Sequence, residues 1–135
     1  MTIVTTDYQR IVDVGASEIW ISHLSTIRGN LGAPSCTHIS KAHQFLQTGI
    51  CTADIALETA RGFNLIRDQL AQFTPDHIVY DENHPKVPAP WEGKISPVIT
   101  SCANFFTTAD GLDLLYEIVS ILCYAGVAGV NVEIQ

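Results

Sequence analysis

The sequence predicts an α/β (α+β) fold in which about four helices cover a small sheet of about three to four strands. Two observations lead to this prediction. Helical spacing of apolar residues dominates residues 17–73 and 110–125, whereas strand-like runs lie at both ends of the chain and near residue 78. The expected order is strand, three helices, strand, long loop, helix and strand, in a single domain spanning residues 1–135.

The N-terminal third is predicted to contain a strand and two helices. Residues 2–14 are expected to form either one strand or a short hairpin, because apolar pairs flank a polar middle. Ser17 is the expected N-cap of the first helix. Apolar residues at steps of four, three and four define its buried face, namely Trp20, Leu24, Ile27 and Leu31. A second helix is expected over Thr37–Thr48, with Gly49 as its C-terminal stop.

The clearest helical pattern begins after Thr52, which is suited to cap it. Its buried stripe consists of Ala56, Ala60, Phe63, Ile66, Leu70 and Phe73. Gly62 lies inside this helix, where glycine costs about 1 kcal/mol relative to alanine. We therefore expect another backbone to approach closely at Gly62. Pro75 is expected to end the helix, and His77–Tyr80 to form a short buried strand.

The C-terminal third begins with a loop and returns to regular structure. Residues 85–97 hold four prolines and are predicted to form a long surface loop of polyproline character, with Trp91 as its large anchor. Thr108 or Asp110 is expected to cap the last helix. Its inward residues are predicted to be Leu112, Leu115, Ile118, Val119 and Leu122. Alternating apolar residues over 130–134 predict a final strand.

The composition limits the possible partners. Apolar residues make up 47% of the chain and charged residues 16%, which indicates a core-rich domain. The net charge of −7 disfavours nucleic acid and anionic membranes, and it favours a basic partner. The longest uncharged run, residues 118–132, is shorter than the about 20 residues that a membrane-spanning helix needs. Four dispersed cysteines and an N-terminus without an apolar signal segment favour a cytoplasmic location.

Candidate catalytic and metal-binding groups have simpler explanations. Zinc-ligand types cluster at Cys36, His38, His43 and Cys51, but their spacing matches no zinc motif. Asp81 and Glu82, or Asp110 and Asp113, could act as an acid–base pair, but a turn and a helix N-terminus also explain them. No catalytic residue, metal ligand or cofactor is therefore predicted. A small cytoplasmic enzyme with a Cys/His or carboxylate site, and an oligomeric scaffold, stay open as alternatives.

A protein-recognition surface is the best-supported kind of site. Its candidate residues lie in or beside the proline-rich loop: Asp76, Asp81, Glu82, Trp91 and Glu92. An acidic rim around an aromatic anchor suits the docking of a basic protein. The alternative for Trp91 is that its ring folds inward and fastens the loop to the body of the protein.

The segment from Thr74 to Glu117 contains a characteristic succession of residues: Pro75, Ile78, Val79, Asp81, Pro90, Trp91, Ile95, Ser96, Ile99, Thr100, Phe105, Phe106, Thr108, Asp110, Gly111 and Leu114. In this succession the segment resembles the immunity protein 70 family of contact-dependent growth inhibition and other polymorphic toxin systems. The resemblance implies a cytoplasmic, non-enzymatic inhibitor that binds one cognate toxin C-terminal domain and blocks its active site. Such a domain is expected to be basic and a nuclease, with an RNase among the candidates. The matching residues look like fold-forming positions, so the resemblance assigns no toxin contact.

Overall fold

In the computed structural model, which describes residues 1–91 and 93–135, four α-helices pack with one four-stranded antiparallel sheet. The predicted α+β class is confirmed. The elements in chain order are β1 (Thr2–Thr5), β2 (Ile11–Asp13), α1 (Ser17–Leu31), α2 (Thr37–Thr48), β3 (Ile50–Cys51), α3 (Ala53–Leu70), a 3-10 turn (Pro75–His77), α4 (Leu114–Ala128) and β4 (Val132–Ile134).

The sheet has the order β2-β1-β4-β3, so the last strand of the chain lies next to the first. Ile3 pairs with Val12 on one side and with Ile134 on the other. The core side of the sheet carries Ile3, Val12, Cys51 and Val132, all of which belong to the buried cluster. The helices therefore contact these four side chains in the core.

The hairpin alternative for residues 2–14 is the correct one. The turn between β1 and β2 closes through a hydrogen bond from the Tyr8 amide to the Thr5 carbonyl oxygen, 2.8 Å long. Asp7 fastens this turn to α4, because its Oδ2 accepts a 2.8 Å hydrogen bond from the Tyr124 hydroxyl. The hydroxyl of Thr5 donates to the other carboxylate oxygen, and this bond lowers the pKa of Asp7.

Helices α2 and α3 agree closely with the sequence prediction. The bounds of α2 are those expected, and Gly49 ends it in the left-handed conformation at φ 71°. Helix α3 begins after Thr52 and ends at Leu70, before Pro75, and five of its six expected stripe residues are buried. A Cβ atom on Gly62 would lie 2.0 Å from the backbone oxygen of His38, so α2 does pass directly over this glycine.

Other boundaries differ from the prediction. Ala16, and not Ser17, is the N-cap of α1. Helix α4 begins at Leu114, later than Thr108 or Asp110 would place it, because the amide of Tyr116 bonds to the Asp113 carboxylate at 3.0 Å. Leu112 lies outside the helix and is half exposed, so its predicted inward position is wrong.

The predicted strand at His77–Tyr80 is also wrong. Residues 75–77 form the 3-10 turn, the backbone of Ile78 is extended, and residues 78–80 do not join the sheet. The strand that sequence reasoning missed is Ile50–Cys51, which pairs with β4. Two residues between Gly49 and Thr52 are too few to show alternation, so this strand left no periodic signal. Within the described residues, no helix has both the length and the apolar character needed to cross a membrane.

A fully buried histidine lies on α1. His23 is enclosed by aromatic rings, with its centroid 4.9 Å from that of Phe106 and 5.9 Å from that of Trp20. Neither ring nitrogen has a hydrogen-bond partner among the described residues. Burial lowers the pKa of His23 from 6.5 to about 3, because the surroundings disfavour the charged ring. The folded protein therefore holds this ring neutral at pH values where the unfolded chain protonates it.

We expect Gly62→Ala to lower the free energy of unfolding by about 3 kcal/mol, because the new methyl group would overlap the His38 backbone. Urea denaturation measures the change. Gly29→Ala is the matched control, since its Cβ would lie 3.1 Å from a side-chain methyl group of Val79, a much milder overlap than 2.0 Å from a backbone oxygen. Equal stability of the two variants would mean that α2 and α3 are not in close backbone contact.

We also expect the free energy of unfolding to fall by about 2 kcal/mol between pH 7 and pH 5 through His23. The unfolded ring takes up a proton as the pH drops below 6.5, whereas the folded ring does not until about pH 3, so acid favours unfolding. The variant His23→Phe should show a clearly shallower loss in denaturation curves measured at both pH values. A shallower slope, not an absent one, is expected, because burial also lowers the pKa of His43. An equal fall in the free energy of unfolding for the two proteins would contradict the role given to His23.

Candidate functional site

The segment after the 3-10 turn is bound to the side of α1 by hydroxyl groups. The Val79 amide donates to Thr26 Oγ1 at 2.9 Å. The Val79 carbonyl oxygen accepts from Ser22 Oγ at 2.7 Å and from Thr26 Oγ1 at 3.2 Å. Both hydroxyl residues are completely buried. Side chains of a helix thus satisfy the backbone groups that a neighbouring strand would satisfy in a sheet.

Three further contacts extend this attachment in both directions. Asn30 Nδ2 donates to the His77 carbonyl oxygen at 2.8 Å. Ser25 Oγ accepts the Glu82 amide at 3.1 Å, and the Glu82 carboxylate lies 2.7 Å from Arg28 Nη1. The segment from residue 77 to 82 is therefore fixed along its length to one side of α1.

An aromatic chain attaches the proline-rich loop to the core. Trp91 packs edge-on against Tyr80 at a centroid distance of 5.4 Å and contacts Phe105 at 5.1 Å. Phe105 packs against the buried Phe106 at 4.9 Å. The ring of Trp91 is thus half-buried and fastens the loop, as the inward-folding alternative expected. The same ring also lines the surface described next.

An open cleft of about 780 Å³ lies between residues 75–81 on one side and residues 84–91, Gly93 and Ile95 on the other. Its lining is mainly apolar or aromatic, and includes Ile78, Tyr80, Val87, Trp91 and Ile95. Polar groups enter it from Asp76, Asp81 and His84. No lysine or arginine of the described chain lines the cleft. Among the described lining residues, the fixed charges are therefore those of the Asp76 and Asp81 carboxylates.

The five predicted recognition residues have different positions in the structure. Asp76, Asp81 and Trp91 come together on the cleft. Glu82 turns away from it and pairs with Arg28, so its charge is largely compensated. Glu92 lies outside the described residues. The toxin-binding role of these residues stays a prediction.

Both cleft carboxylates are held in their ionised form. The pKa of Asp81 is lowered by a hydrogen bond from His84 Nδ1, 2.9 Å from Oδ2, and by the Asn83 amide, 2.9 Å from Oδ1. The pKa of Asp76 is lowered chiefly by the hydroxyl of Thr74, which donates to its Oδ1. Donors around each carboxylate favour the charged state, so the cleft stays anionic at neutral pH.

The other candidate groups are dispersed. Cys36 is exposed and Cys51 is buried, and the described residues contain no cluster of three or more His, Cys, Asp or Glu side chains that could hold a metal ion. Burial raises the pKa of the Cys51 thiol, and it raises the pKa of the Cys102 thiol to about 11. A thiol with a raised pKa is a poor nucleophile, because thiolate is the reactive form. Asp113 serves as the cap of α4.

Sequence reasoning missed the polar side of α1. Ser22, Ser25, Thr26 and Asn30 follow one another at steps of three, one and four, which places them on one side of a helix. Three of them are buried without belonging to the apolar core. Buried hydroxyl residues at helical spacing need external partners, and this requirement is the signal that could have revealed a bound backbone segment.

Comparison with known proteins identifies the class. The family model described as Immunity protein 70 matches residues 3–134. The protein is therefore an immunity protein of a toxin system, a class that acts by inhibition. The chain belongs to the immunity protein 70 family. Searches of curated proteins and of solved structures gave no significant match.

We expect Thr26→Val to loosen the segment at Val79. The substitution leaves the Val79 amide without its acceptor, at a cost of about 1–3 kcal/mol. Hydrogen exchange at the Val79 amide should accelerate by on the order of tenfold or more. Thr37→Val, an exposed change in the first turn of α2, is the control. Unchanged protection of Val79 would show that Thr26 does not hold the segment.

Proposed function

We propose that the protein binds the toxic C-terminal domain of a contact-dependent growth-inhibition system and blocks its active site. The toxin in this proposal is a basic nuclease, with an RNase among the candidates, and the inhibitor acts in the cytoplasm that the toxin enters. The observation that carries the proposal is the anionic cleft beside Trp91, in a family of immunity proteins.

Charge supports a nuclease as the partner. A nuclease binds phosphates, so its active site is lined by cationic groups. The inhibitor has a net charge of −7, which raises the rate of encounter with such a surface. Once the two surfaces meet, carboxylates can occupy the positions that substrate phosphates would take.

The arrangement of the carboxylates supports the cleft as the place of contact in this proposal. Asp76 and Asp81 share one cleft with a large aromatic ring, whereas Glu82 is already paired within the protein. Acidic groups without a lysine or arginine partner, beside a half-buried tryptophan, resemble the energetically dominant centre of many protein interfaces. An interface of standard size, about 1,600 Å² in total, would extend beyond the cleft on all sides.

The direct test of the proposal is protection. The reading frame immediately upstream should encode the toxin domain, and co-expression of the two proteins should restore growth that the toxin domain alone stops. The purified pair should form a 1:1 complex in which nuclease activity is lost. Complex formation with nuclease activity retained would contradict active-site blocking.

Charge reversal in the cleft is expected to slow association. At low ionic strength, Asp76→Lys and Asp81→Lys should each lower the association rate constant by about tenfold, and the loss should shrink as salt is added. Glu58→Lys makes the same change in net charge on the exposed side of α3, away from the cleft, and should have a much smaller effect. Stopped-flow fluorescence with the purified toxin domain measures the rates. Equal effects of all three variants would remove the cleft from the docking surface.

A further inference from the structure

The cleft beside Trp91 combines an apolar lining with acidic groups. Its walls are apolar and aromatic, with Tyr80 and Trp91 at an interplanar angle of 89°. Its polar lining is dominated by two carboxylates, of which Asp76 is the more exposed, at 78% of the side chain against 23% for Asp81. An occupant with a long apolar part and a positive charge therefore complements this lining.

The Asp81 carboxylate retains the capacity to accept two further hydrogen bonds. Each of its oxygens accepts one hydrogen bond within the protein, from Asn83 to Oδ1 and from His84 to Oδ2. A carboxylate oxygen has two lone pairs, so each oxygen can accept once more. Because the internal donors also hold the carboxylate in one orientation, it is preorganised for a two-pronged ligand.

An arginine side chain has the matching chemistry. Its planar guanidinium group donates two parallel hydrogen bonds to a carboxylate and stacks on aromatic faces. Its aliphatic stem can lie along apolar walls while the charged end reaches a polar partner. A lysine ammonium has the charge but neither the planar fork nor the stacking surface.

We propose that the cleft receives an arginine side chain of the partner toxin, with its guanidinium group on Asp81 and beside the rings of Trp91 and Tyr80. The identity of the partner rests on the function proposed above, whereas the chemistry of the cleft does not. The occupant is thus a single protruding residue, held within a larger interface.

The arginine pocket can be tested on the full-length protein without the toxin. The probe is N-acetyl-arginine-N-methylamide, and the control compound is the citrulline analogue, which has the same shape but no charge. In NMR titrations the arginine compound should shift the indole N–H resonance of Trp91 in a saturable manner and bind at least about tenfold more tightly than the citrulline compound. Trp20 is an internal reference, because it is buried and its indole N–H is bonded to the Leu46 carbonyl oxygen.

Variants assign the binding to Asp81. We expect Asp81→Asn to weaken binding of the arginine compound by about tenfold or more, since the charge-assisted pair is lost. Glu58→Gln removes the same charge from a surface that does not line the cleft and should leave binding unchanged. If Asp81→Asn disturbs the loop, the affinity of Asp76→Asn for the arginine compound provides a second test. We expect this affinity to fall by less than in Asp81→Asn. Equal binding of the arginine and citrulline compounds, or wild-type binding by Asp81→Asn, would overturn the inference.

The toxin complex separates this inference from the proposed function. A toxin domain that is still neutralised by Asp81→Asn with unchanged affinity would overturn the arginine pocket and leave the proposed function standing. An arginine compound that binds while the upstream-encoded domain does not would show that the occupant is not a toxin residue, and the proposed function would fail. If Asp81→Asn binds the toxin domain about tenfold more weakly and Glu58→Gln binds it as the wild type does, the result supports both the arginine pocket and the proposed function.

Discussion

The hydrogen bonds between α1 and Val79 fix the position of the segment that forms one wall of the cleft. A buried backbone amide or carbonyl without a partner costs about 1–3 kcal/mol, and residues 78–80 have no neighbouring strand to provide one. Ser22 and Thr26 supply the partners from the side of a helix. The extended segment can therefore lie outside the sheet, and it carries Tyr80 and Asp81 to the cleft.

Aromatic packing extends this order into a loop without regular structure. The Trp91 ring contacts Tyr80 on the segment bound to α1, and it contacts Phe105 next to the core. These two contacts attach the proline-rich loop to the body of the protein. Beyond Phe105 the contacts continue through Phe106 to His23 inside α1. A recognition surface that is already ordered before binding loses less conformational entropy when a partner docks.

The parts of the fold that sequence reasoning predicted are those set by neighbouring residues. Helix α2 follows from its own apolar spacing and from Gly49, and the close approach at Gly62 follows from glycine being a poor helix former. The sequence predicts a strand at 77–80 because apolar, β-branched residues favour extended backbone. They do so whether the backbone is bonded to another strand or, as here, to side chains of a helix. The partner of this segment is Thr26, 53 residues away in the sequence, and no local pattern reports such a distance.

The difference between local and distant partners also separates the acidic residues of the candidate site. Asp76, Asp81 and Glu82 look equivalent in the sequence, but Arg28, 54 residues earlier, compensates Glu82 and leaves the other two facing the cleft. Net charge is a property of composition, and it acts over roughly a Debye length of about 10 Å, so it governs how fast a basic partner arrives. In the proposed arginine pocket the position of each carboxylate matters as well, because a guanidinium group must meet a fixed oxygen pair at hydrogen-bond distance. Composition can therefore indicate the sign of a partner's charge, whereas the geometry on which the arginine proposal rests exists only where the folded chain holds Asp81 in place.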